Sequence, residues 1–135
     1  MTGADRQTRS VVVEREFAYP PERVWRALTQ PELLADWLMQ SNFQLVIGHA
    51  FSFSAEWGPI DCRVEEIKQH KKLSYTWSAF DVATVVTFTL EPTSAGTLLR
   101  MEQSGFRLNQ KQALGGAKGG WSAFFENLQG TLDKP

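Results

Sequence analysis

The hydrophobic positions of this chain change period twice, and the changes divide it into three parts. From Ser10 to Tyr19 they alternate, with Val11, Val13, Arg15, Phe17 and Tyr19 on one side and Val12, Glu14, Glu16 and Ala18 on the other. A period of two predicts a half-buried strand over residues 10–19. Pro20-Pro21 ends it and opens a short helix, since proline at the first helical position gives up an N–H that has no partner there. Tyr19 and Val24 have the spacing of a hydrophobic staple, and Val24, Ala27 and Leu28 mark the buried side. Thr29-Gln30-Pro31-Glu32 then reads as a capping box for a second short helix, with Leu33, Leu34, Trp37 and Leu38 as its apolar positions.

From residue 43 to 104 the period returns to two. Phe43 to Ile47 is strand-like, and Gly48 breaks it. Phe51 and Phe53, then Ile60, Cys62 and Val64, then Leu73, Tyr75 and Trp77 each share a face. Val86, Phe88 and Leu90 follow, and then Leu99, Met101 and Gln103. Trp57-Gly58-Pro59, Gln69 to Lys72 and Pro92 to Gly96 are the expected turns. Successive strands on short turns make an antiparallel meander. In the last third Trp121, Phe124, Phe125, Leu128 and Leu132 fall at steps of three and four, which predicts an amphipathic helix. Gly115, Gly116, Gly119 and Gly120 leave its start open, as flexible backbone or a mobile entrance.

The predicted fold class is α+β: one curved antiparallel sheet of six or seven strands, two short helices after the first strand, and a long C-terminal helix across the sheet's apolar face. A curved sheet gripping a helix leaves a gap, and such gaps bind ligands. Residues 1–9 are expected to be disordered and residues 10–135 to form a single domain.

Composition narrows the function. Net charge is −1 and no run of Lys or Arg exceeds Lys71-Lys72, so the electrostatic footprint of a nucleic-acid binder is missing. No apolar stretch approaches the length of a membrane span. The polar N-terminus lacks the apolar core of a signal peptide, and the single cysteine, Cys62, excludes an internal disulfide. A cytoplasmic location is expected. Aromatic residues make up 12% of the chain, which suits either a dense core or a cavity lined with rings.

Several stretches carry a family likeness. They are Pro20 to Thr29 with Pro31-Glu32-Leu33 and Trp37; Gly48 with Phe51 and Phe53; Leu73 to Trp77; Gly96-Thr97 with Leu99; Ser104-Gly105-Phe106; and Gly120-Trp121 with Phe125 and Leu128. In this order they resemble the START-like, or helix-grip (SRPBCC), superfamily, and within it the heat-shock-protein-90 ATPase activator homologue-like group. The resemblance implies a sheet wrapped around the C-terminal helix over a deep cavity. It also implies an apolar ligand: lipid-like, polyketide-like or aromatic. His49 departs from the group, which often has a second glycine there. The group's name points to a stress-response chaperone, but chaperone regulation does not follow, because small bacterial-type members stand alone without the activator's other domain.

The candidate chemistry points to binding. His49, His70 and Cys62 are not at metal-ligand spacing, so neither metal nor cofactor is expected. Cys62 sits on an apolar strand face, as an inert thiol does. The expected ligand-facing set is Trp37, Phe51, Phe53, Tyr75, Trp77, Phe88, Met101, Trp121 and Phe125. Arg15 and Gln103, on otherwise apolar faces, are the expected polar anchors for a carboxylate, phenol or carbonyl. Trp57 and Phe106 are placed at the cavity mouth. Two rival readings stay open. One is an enzyme of cyclase or hydrolase type using Arg15, His49 or Glu102; the other is a protein-interaction or co-chaperone-like module, with a protein partner or a homodimer.

Overall fold

The computed structural model describes residues 8–134. Its elements are β1 (Thr8–Phe17), α1 (Pro21–Thr29), α2 (Pro31–Trp37), β2 (Gln40–Ser41), β3 (Ala50–Ala55), β4 (Gly58–Lys68), β5 (Lys72–Ala79), β6 (Val82–Pro92), β7 (Thr97–Arg107) and α3 (Lys111–Asp133). The seven strands form one open, curved antiparallel sheet in the order β1-β7-β6-β5-β4-β3-β2. Alternation decides which face is inner: Phe51, Phe53, Ile60, Cys62, Val64, Tyr75, Val86, Phe88, Leu99 and Met101 are all buried.

The expectation of disorder for residues 1–9 falls mostly on residues 1–7, outside the described residues. Thr8 and Arg9 already belong to β1, paired with Arg107 and Phe106. Two local expectations are corrected. Phe43 to Ile47 is not a strand. Beyond Ser41 the ladder to β3 ends because the Asn42 side chain takes over, its Oδ1 accepting from the Ser52 amide at 2.9 Å. Phe43 turns into the core against Phe51, ring centroids 5.0 Å apart, and Leu45, Val46 and Ile47 are left exposed. The capping box does not form either. Thr29 is still inside α1 and donates its hydroxyl to the Trp25 carbonyl at 2.8 Å, while Gln30 takes the cap position without a side-chain cap.

α3 runs as one helix through all four glycines. Its second half is held hard. Phe125 packs on Phe17 of β1 at 6.0 Å, Trp121 packs on Phe88 of β6 at 5.8 Å, and Leu128 and Leu132 are buried. α1 and α2 lock its end. Arg23 donates to the carbonyls of Leu132 and Lys134, and Thr131 Oγ1 donates to Asp36 at 2.8 Å. Trp37 ties the two short helices together, its indole N–H donating to the Ala27 carbonyl at 2.8 Å. The first half is different: from Lys111 to Gly120 no residue is fully buried.

Two glycines shape the sheet. Gly105 has φ +110° and is the extra residue of β7 where the register against β1 shifts between Arg9 and Ser10. The bulge resets the alternation, so Gln103 and Phe106 both face inward. Gly96, in the β6–β7 turn, lies against the end of β1. A Cβ there would sit 2.1 Å from the Phe17 carbonyl oxygen and 2.6 Å from the Tyr19 nitrogen. Gly96→Ala is therefore expected to lower the urea-unfolding free energy by at least ~2 kcal/mol. Gly48→Ala, at φ +83° with nothing within 4 Å of its Cβ, is the comparison and should cost about 1 kcal/mol. Equal losses would mean that crowding at Gly96 is relieved at little cost.

Candidate ligand cavity

Antiparallel order puts the β3–β4 turn, the β5–β6 turn and the β7–α3 loop at one end of the sheet. There a cavity of about 410 Å3 opens between the sheet and the first half of α3. Ala55, Ile60, Trp77, Ala79, Gln103 and Phe106 form the sheet wall. Ala113, Gly116, Ala117 and Gly120 form the helix wall, with Trp121 and Phe124 at its inner end. Trp57 and Phe80 stand at the mouth, 56% and 88% exposed, their ring centroids 5.3 Å apart. The space exists because the helix wall lacks side chains: a Cβ on Gly116 or Gly120 would meet nothing within 4 Å.

The polar groups at the back of the cavity form one directed chain. The Trp121 indole N–H donates to Gln103 Oε1 at 2.8 Å, Gln103 Nε2 donates to Thr84 Oγ1 at 2.9 Å, and the Thr84 hydroxyl donates to the Trp77 carbonyl at 2.8 Å. Indole nitrogen only donates and a carbonyl only accepts, so the direction of every link is forced, including the orientation of the Gln103 amide.

The residues picked from sequence separate into three places. Trp77, Gln103 and Trp121 reach the cavity wall. Trp37, Phe51, Phe53, Tyr75, Phe88, Met101 and Phe125 lie behind it in the core, where the rings of the first five pack on one another and Phe125 packs on Phe17. Arg15 lines neither. It lies over the Phe17 ring and makes an ion pair of 3.6 Å with Glu126, half-exposed at the sheet–helix edge. Phe106 is buried inside the cavity wall instead of at the mouth. Sequence reasoning did not place Phe80, Phe124, Ala113 or Ala117 at the cavity, and it left the glycines of α3 open as flexible backbone or a mobile entrance. Ala113, Gly116, Ala117, Gly120 and Phe124 share one helical face (113/116, 113/117, 116/120, 117/120 and 120/124 are three or four apart), and that was the available signal.

The groups considered for catalysis also lie elsewhere. His49 stacks on Phe51 at 6.2 Å and its Nε2 is 3.2 Å from the Asn42 carbonyl; Glu102 pairs with Arg100 at 3.2 Å on the outer face of β7. Burial, and then the nearby Asp61 carboxylate, push the Cys62 thiol up to about 12, so it stays protonated. Among the described residues no three His, Cys, Asp or Glu side chains cluster as a metal site would need, and no helix is long and apolar enough to cross a membrane. Tyr75 is the anomaly. Its hydroxyl is fully buried without a hydrogen-bond partner, and desolvation holds its pKa well above the usual phenol value.

A curved antiparallel sheet closed by a C-terminal helix, with an apolar pocket between them, defines a helix-grip protein of the α+β class. The chain belongs to the activator of Hsp90 ATPase homolog 1-like family, whose sequence model matches residues 18–133. The solved protein MLL2253 from Mesorhizobium loti is 55% identical, with a TM-score of 0.90 over 93% of this chain and 97% of that one. Protein BH1534 from Bacillus halodurans is 27% identical, with a TM-score of 0.83 over 93% and 97% of the two chains. CalU16 from Micromonospora echinospora, 20% identical with a TM-score of 0.82 over 93% of this chain and 77% of that one, shares the fold. No curated protein matches the chain.

An unsatisfied buried hydroxyl costs about 1–3 kcal/mol, so Tyr75→Phe is expected to raise the unfolding free energy by roughly 1 kcal/mol. A loss of stability in the same urea titration would show that the hydroxyl has a partner, such as an enclosed water.

Proposed function

We propose that this protein binds a small hydrophobic molecule, aromatic, polyketide-like or lipid-like, in the cavity between α3 and the sheet. The observation that carries this reading is the cavity itself: about 410 Å3, inside the roughly 300–1,000 Å3 range of small-molecule sites, and walled by rings and small residues with one polar amide among them. Family membership supports it. Affinity would come from desolvated apolar surface, and orientation from Gln103. The buried, protonated thiol suits a cytoplasmic protein. Neither a resident cofactor nor catalysis is part of this reading.

Phe80 adds a second line of support. It occupies the first position of a two-residue hairpin turn at φ +54°, where glycine is favoured and an aromatic is strained. A residue that is both strained and 88% exposed stabilises neither the turn nor the core. Contact with something entering the cavity gives it a use. The interaction-module reading draws on a different surface, exposed Leu45, Val46 and Ile47, which lies away from the cavity and would be untouched by changes inside it.

Native mass spectrometry of the purified protein tests the proposal directly, through the mass of a co-purifying small molecule. Gly120→Leu fills the helix wall and should weaken binding of that molecule at least ~10-fold, whereas Gly119→Leu, on the neighbouring face, should not. Equal effects of the two would move the site out of this cavity. Phe80→Gly is expected to keep or raise stability while speeding ligand release several-fold; a stability loss above ~1 kcal/mol would mean that the ring serves the fold.

A further inference from the structure

The cavity wall is electrically neutral. None of the residues lining it carries a formal charge, and apart from indole N–H groups Gln103 is its one polar side chain. Arg15, the cation that alternation assigns to the inner face, is turned to Glu126 and does not reach the space. At the rim Asp81 holds Arg107 at 3.4 Å, and Glu56 adjoins Trp57. Past that rim a carboxylate loses its hydration and meets no cation on the lining, which is the costliest kind of burial.

A neutral acceptor fares differently. The Gln103 amide has two hydrogens on Nε2, and Thr84 takes one of them. The other stays on a side chain that is 2% exposed, lies on the cavity wall, and cannot flip, because the Trp121 indole demands Oε1. The rings around it favour a flat guest. Trp77 and Phe124 flank Trp121 at 5.2 and 5.5 Å, presenting faces and edges for offset stacking.

We propose that the cavity selects uncharged, flat aromatic molecules bearing a hydrogen-bond acceptor such as a ketone oxygen, and that Gln103 is the residue that reads the acceptor. The inference rests on the ligand-binding reading of the cavity. It excludes aromatic acids, the ligands that an inward Arg15 would have favoured.

Three matched probes decide it: acetylnaphthalene, ethylnaphthalene and naphthoate, titrated near pH 7 with calorimetry or quenching of the cavity tryptophans. Acetylnaphthalene should bind about 10-fold tighter than ethylnaphthalene, the worth of one hydrogen bond. Naphthoate should bind about 100-fold more weakly than acetylnaphthalene. In Gln103→Met the preference for acetylnaphthalene over ethylnaphthalene should disappear, the ratio of the two affinities falling from about 10 to about 1. Should that variant misfold, the three affinities of the natural protein still decide the question. Naphthoate binding as tightly as acetylnaphthalene overturns the selection for neutral guests, and equal binding of the acetyl and ethyl compounds overturns the role of Gln103. Both results leave the cavity a binding site. Failure of all three probes to bind overturns this inference, while the ligand-binding reading stands or falls separately, on the co-purifying molecule and the Gly120→Leu variant.

Discussion

Everything about this protein depends on the uneven packing of α3 against the sheet. In its second half, Trp121, Phe125, Leu128 and Leu132 fill the groove, and Arg23, Asp36 and Thr131 fasten the end to the two short helices. In its first half, Ala113, Gly116, Ala117 and Gly120 face the same sheet with almost nothing. One rigid rod with large side chains at one end and small ones at the other cannot close on a curved surface along its whole length. The gap is therefore a product of side-chain volume, fixed by a helix that its far end holds in place.

The join between the two halves is chemically specific. Trp121 is the first bulky residue after the glycines, and its indole N–H reaches Gln103 in β7. Gln103 passes the chain of donors to Thr84 and on to the Trp77 carbonyl, so helix, β7, β6 and β5 are linked through four groups. The Gly105 bulge places Phe106 on the same inner face as Gln103 by adding one residue to the alternation. A polar network in an apolar wall is stable only when its members are satisfied, and here three links satisfy the indole, the hydroxyl and most of the amide. What remains is the second Nε2 hydrogen, on a residue of the cavity wall.

The fold was legible because its signals are redundant. Alternation at Val86, Phe88 and Leu90, or at Leu99, Met101 and Gln103, repeats over several residues, and one irregularity does not hide it. The failures fall where a single side chain overrides the pattern. Asn42 replaces a backbone partner and ends the ladder before Phe43, and Thr29 turns back to Trp25 instead of capping the next helix. The cavity was less legible. Inward-facing is a one-dimensional property that alternation reports. Lining a space is not, since Phe53 and Trp77 share a face while only Trp77 borders the gap. Arg15 shows the same limit: its Cα is on the inner face at the sheet edge, yet a long side chain there reaches Glu126 and solvent.

The entrance concentrates what the rest of the molecule avoids. Four glycines in the first half of α3 each lower helix stability by about 1 kcal/mol relative to alanine, and no buried side chain compensates there. Phe80 adds a strained turn and Trp57 an exposed ring. Local opening draws on the least stable parts of a fold, and here those parts are the wall and rim of one cavity. The firmly packed parts are elsewhere: the aromatic core behind Trp77 and the fastened end of α3. The cavity can therefore open along its weakest wall without disturbing the core that gives it shape.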